Sequence, residues 1–158
     1  MSRSKQLANR AREVLLNGHW IANTNFKEQV MQVNWMQATR KIGELNTIAH
    51  LVFHINYYLG GILQVLNGGA LEIRDKYSFD LPPIQSEEEW QQLVNTFLAN
   101  AENFAAKVEG LPEQQLDESF VDPKYGTWLR NIEGVIEHSY YHLGQVSLIR
   151  KLIDKGGM

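Results

Sequence analysis

Apolar residues recur at helical spacing in four stretches of this chain, and helix-starting and helix-stopping residues bound most of them. In the first stretch Leu7, Ala11, Val14 and Leu15 share a face between Ser4 and about Leu16, with arginine and lysine on the other face. Asn17-Gly18 then supplies a stop. The second runs from about Asn46 to Leu66. Asn46 or Thr47 caps it, it is apolar almost all round, and Asn67-Gly68-Gly69 ends it. Such a helix sits in the middle of an assembly of helices, and its internal Gly60-Gly61 pair predicts a close contact or a bend. Ser86-Glu87-Glu88-Glu89 opens the third as a capping box. A stripe from Trp90 through Phe97 and Phe104 to Val108 then continues to the stop at Gly110-Leu111-Pro112. The fourth spans about Gly126 to Asp154, before Gly156-Gly157. One of its faces carries Leu129, Ile132, Ile136, Leu143 and Val146, and the neighbouring face carries Asn131, Val135, His138, His142, Gln145 and Ile149.

Between these stretches the pattern weakens. Thr24 or Asn25 caps a short helix carrying Phe26, Val30 and Met31, and Val33 to Gly43 reads as a loop with room for one further helical turn. The connection from Ala70 to Gln85 contains Pro82-Pro83, which excludes a helix there; its length lets it cross the end of a bundle and bury Tyr77 and Phe79 on the way. A second connection, Pro112 to Tyr125, is acidic and rich in turns. No strand signal competes with the helices. The expectation is an all-α chain, one domain over residues 1–158, built as a four-helix bundle with up-down neighbours and long crossover loops.

Composition then narrows the chemistry. The chain has 158 residues and no cysteine, so thiolate metal sites, disulfides and cysteine nucleophiles are excluded, and any metal must be held by His, Asp or Glu. A net charge of −3 gives no basic footprint for nucleic acid or for an anionic membrane. No apolar run reaches the roughly 18 residues of a membrane span, and the first residues lack the apolar core of a signal peptide. The expected location is the cytoplasm.

Four of the five histidines form two pairs at i, i+4, His50 with His54 and His138 with His142, each pair on an apolar helix. Side chains four apart lie one above the other on a helix face, so each pair can offer two imidazoles to one ion. The competing reading is that they are neutral packing residues held by hydrogen bonds to Tyr57, Tyr58, Tyr140 or Tyr141. His19 has no partner at helical spacing and reads as a surface or packing residue.

The segment Asn46-Thr47-Ile48-Ala49-His50-Leu51-Val52-Phe53-His54-Ile55, and the closing Glu137-His138 through His142-Leu143-Gly144-Gln145, resemble the DinB-like (DinB/YfiT-like) superfamily of metalloenzymes over nearly the whole chain. The resemblance implies a bundle holding a divalent metal such as zinc, nickel or iron on three histidines: His54, His138 and His142. His50 falls where relatives more often carry an acidic or other polar residue, and reads as a fourth ligand, a supporting partner or a bystander. Three neutral imidazoles leave the site with about two positive charges, which favours an anionic ligand and lowers the pKa of a bound water or thiol. Relatives include transferases that use low-molecular-weight thiols. The function the resemblance implies is therefore metal-dependent thiol transfer to a small-molecule substrate, in a homodimer. A metal-dependent hydrolase, a metal store or sensor, and a non-catalytic dimeric binding protein are the alternatives. Gln145 and Tyr57 are the candidate supporting groups, with Asn131 and Glu137 behind them.

Overall fold

The computed structural model describes residues 1–156, so Gly157, the second glycine expected after the last helix, lies outside the described residues. Among the described residues the chain is helical and forms no strand; a single bridge joins Ser119 to Thr127. Six α-helices occur: α1 (Arg3–Arg12), α2 (Phe26–Val30), α3 (Trp35–Ala38), α4 (Ile48–Leu66), α5 (Glu87–Glu109) and α6 (Trp128–Asp154). A π-helical turn, Glu13–Asn17, prolongs α1 up to Gly18. No described helix is long and apolar enough to cross a membrane.

The caps explain most boundaries. Thr47, Ser86 and Thr127 each accept a backbone N–H from the third residue beyond, opening α4, α5 and α6. The last helix therefore starts after Thr127 and not at Gly126, whose φ of 77° lies in the left-handed region and ends the preceding turn. Within the stretch read as a loop, Asn34 and Gln37 form a reciprocal capping box that secures α3.

The four long helices close a ring in which α1 touches α5 and α6, and α4 touches α5 and α6. Leu51 lies beside Ile149, and Tyr58 beside Val135, so α4 and α6 run antiparallel. Thr47 and Ala49 sit next to Pro83 and Ile84, just ahead of α5, while Asn56 is bonded to Asn100 and Gln64 lines a hollow with Asn103. Thus α4 and α5 run parallel, and their connection has to return the length of α4. It does so in register. Gln64 bonds Glu72, Gly61 abuts Ile73, Tyr57 bonds both backbone groups of Arg74, Tyr58 bonds Asp75, and His54 meets Ser78. One connection is a true crossover; the other, after α5, joins antiparallel helices.

The core between the helices is built mainly of large apolar side chains. Trp90, Phe26, Phe97, Phe104, Leu51 and Ile132 are all buried, and the Trp90 indole donates 3.0 Å to the Val33 carbonyl. Tyr77 and Phe79, expected to be buried by the crossover, are instead 45% and 37% exposed. The crossover lies along the outside of α4 and not across the end of the ring, so their rings are covered from one side only.

Candidate metal centre

His54 projects from α4 toward α6, whose register brings His138 and His142 to meet it. One ligand nitrogen from each lies within 4.8 Å of the other two. His54 Nε2 is 3.1 Å from His138 Nε2, which is 2.8 Å from His142 Nε2. Three nitrogens on a tetrahedral ion at about 2.0–2.1 Å stand roughly 3.3 Å apart, so the spacing is close to that of ligands on one ion.

The protons decide what these contacts mean. His142 Nδ1 is 2.7 Å from Gln145 Oε1, and His54 Nδ1 is 3.3 Å from the Ser78 carbonyl oxygen. A carbonyl oxygen only accepts, so each Nδ1 carries the proton and donates it. In the neutral ring that leaves both Nε2 atoms as bare lone pairs. His138 Nε2 holds one proton at most, so at least one of the two short contacts sets lone pair against lone pair. A cation among the three nitrogens would turn that conflict into coordination, and the donor set suits borderline divalent ions.

The surroundings keep the rings neutral. Burial first, then the neighbouring imidazoles, pushes His138 down to about 4. His54 is lowered by burial and by His142, with the Ser78 carbonyl opposing, and His142 is lowered by burial against the pull of Gln145. Aromatic rings pack against the cluster. Phe79 stacks on His54 at 3.9 Å and 8°, Tyr58 stands edge-on to both His54 and His138, and Tyr141 stands edge-on to His142.

His50 lies outside this cluster. Its Nδ1 is hydrogen-bonded at 2.8 Å to the hydroxyl of Thr47, the residue that caps its own helix, and it lines a separate hollow with Pro82 and Pro83. Tyr57 is also elsewhere, its hydroxyl spent on the backbone of Arg74, where it pins the crossover. Asn131 caps the turn before α6 through the carbonyls of Tyr125 and Thr127; Glu137 pairs with Arg130; His19 pairs with Glu28 on the surface. None of the tyrosines proposed as hydrogen-bond partners holds a cluster histidine that way; Tyr58 donates to Asp75 instead. The sequence pointed to no site role for Ser78, Phe79 or Asp75; Phe79 was expected only to be buried by the crossover. Their roles come from a backbone carbonyl and from the return path of the crossover.

Compared with family models, curated proteins and solved structures, the chain matches none.

Proposed function

We propose that this chain is a metal-dependent enzyme of the DinB/YfiT-like kind, its four long helices forming that family's bundle, with His54, His138 and His142 holding one divalent ion. The observation that carries the reading is the convergence of three Nε2 atoms, two of them stripped of protons by carbonyl partners on the far side of their rings. Structural packing histidines have no need of that arrangement, because it costs hydrogen bonds without returning any.

An ion held by His54, His138 and His142 would supply a Lewis acid able to lower the pKa of a thiol that binds it. The chain's own contribution is to fix that donor set. Gln145 and the Ser78 carbonyl lock two tautomers and ring orientations, as partners beyond the ligands of metal sites commonly do. Phe79, Tyr58 and Tyr141 pack against the rings, and the burial of His54 and His142 strengthens charge interactions there. With no carboxylate among the ligands, the site favours an anionic partner, which suits transfer of a low-molecular-weight thiol to an electrophilic small molecule. The family resemblance alone leads us to propose a homodimer as the working unit.

The test is metal analysis of protein purified without a histidine tag, after supplementation with zinc, nickel, iron and manganese, followed by transfer assays with several cellular thiols. About one equivalent of one metal and metal-dependent thiol consumption are expected. A chain that takes up none of these ions overturns the reading.

A further inference from the structure

Two hollows open beside the histidine cluster on the crossover side. The first, of about 300 Å3, has His138 in its wall together with Gly134, Arg130 and Tyr125. The second, of about 350 Å3, shares Tyr58, Ile62, Tyr125 and Asn131 with the first and adds Arg74 and Phe120. Four common lining residues make them one groove, running from the imidazole of His138 out along α4 and α6 to the crossover. Each part is of the size that small-molecule sites occupy, about 300–1,000 Å3.

Gly134 marks the inner end. It lies one turn before His138 on the same face of α6, and a Cβ built there meets nothing within 4 Å. Glycine inside a helix is less stable than alanine there, so packing does not explain its place. It leaves open the space in front of His138.

Charges lie in both parts, Arg130 in the hollow that reaches His138 and Arg74 in the one beyond it. Arg74 and Arg130 line the groove, and Asp75 is the acidic residue there, one of its oxygens taken by the Tyr58 hydroxyl. Glu137 engages Arg130 through Nη1 alone, and a guanidinium has five N–H groups. Tyr58, Ile62 and Tyr125 supply apolar and aromatic wall to both parts, and Phe120 to the outer one.

We infer that this groove binds the small-molecule substrate, a compound with an apolar or aromatic middle and a terminal carboxylate, whose anionic end is held by Arg130 and Arg74 while its other end reaches His138. The inference rests on the metal-centre reading for what happens at His138. The groove and its charge preference can be tested apart from it.

Phenylpropionate, phenylpropanol and phenylpropylamine share one body and differ in charge, so they serve as probes, titrated by calorimetry or by nuclear magnetic resonance against metal-loaded and metal-free protein. Phenylpropionate is expected to bind more tightly than the alcohol, and the amine more weakly than both, in each form of the protein. Arg130→Gln with Arg74→Gln should erase about threefold to tenfold of the advantage of the acid, the size of partly exposed charge-assisted contacts. Gly134→Leu should weaken all three probes while metal content and melting temperature hold. Equal binding of acid and amine, binding untouched by Gly134→Leu, or no binding of any probe overturns the groove assignment. Absence of metal uptake with the charge preference intact overturns the metal reading and leaves the groove standing.

Discussion

Gln145 Oε1 lies 2.7 Å from His142 Nδ1, one turn along α6 and on the side of the ring away from the cluster. This single contact selects the tautomer that turns the Nε2 lone pair toward His54 and His138. Gln145→Leu removes the acceptor and frees the ring to flip. It should weaken metal binding about 10–100-fold, the usual cost of losing a partner that orients a ligand. Gln145→Glu should hold or tighten affinity, because a carboxylate accepts the same proton more strongly. Competition with a coloured chelator measures both; a Leu variant with unchanged affinity would remove Gln145 from the site.

The two histidines of α4 separate cleanly by substitution. His54→Ala and His142→Ala each delete one of the three converging nitrogens, and if these hold the ion each should cost more than the roughly 100-fold that bounds a supporting residue. His50→Ala deletes only a bond to Thr47, so metal content should stay at the wild-type value, with at most a modest loss of stability from the altered cap. Elemental analysis of the three variants, prepared side by side, decides it. Metal loss in His50→Ala at the level of His54→Ala would refute the placement.

The same pair shows what could be read from the chain alone. Spacing at i, i+4 puts His50 and His54 on one face, and nothing in the pattern tells which of them faces α6 at the level of His138. The long helices were legible because their stripes and caps agree. The short α3 was legible only as room for one helical turn between Val33 and Gly43, because what places it is a reciprocal Asn34–Gln37 contact and not an apolar period. The wall of the site was illegible for a different reason. Ser78 acts through its carbonyl, which every residue possesses, and Phe79 reaches His54 only because the crossover returns along α4 in register. Tyr57 was a reasonable candidate from its helix position, yet its hydroxyl had a nearer partner in Arg74.

Chelator-treated protein should lose stability as the pH falls from about 6.5 toward 4. The unfolded chain protonates its histidines near 6.5, whereas folded His138 is held neutral down to about 4, and His54, His142 and His50 are lowered in the same direction. Between those values the unfolded state binds more protons, so stability rises with pH and is lost on acidification. Melting temperature recorded from pH 7 to 5, above the main carboxylate range, should show the drop, and His138→Gln should flatten part of it. A melting temperature that rises on acidification over this window would contradict the assignment of neutral rings.

Adjacent glycines on α4 should respond in opposite directions. A Cβ at Gly60 meets only Asn100 Nδ2, at 3.9 Å, so Gly60→Ala gains helix propensity without a clash and should stabilise by up to about 1 kcal/mol. A Cβ at Gly61 falls 2.4 Å from Ile73 Cγ2 and 2.8 Å from its Cγ1. Those atoms lie near the Ile73 backbone and cannot swing away as a flexible chain end would. Gly61→Ala should therefore destabilise by about 1–3 kcal/mol, the range for overpacking. The displaced segment leads, through Arg74 on Tyr57 and Asp75 on Tyr58, to Ser78 on His54, so metal affinity should fall with stability. Removing the obstruction tests that chain of contacts. In a double-mutant cycle with Ile73→Ala, the Gly61→Ala penalty should shrink and metal affinity recover in part, giving a coupling energy well above the few tenths of a kcal/mol expected of independent sites. Additive effects would mean that the crossover does not register on α4 through this contact, and that His54 is positioned by α4 alone.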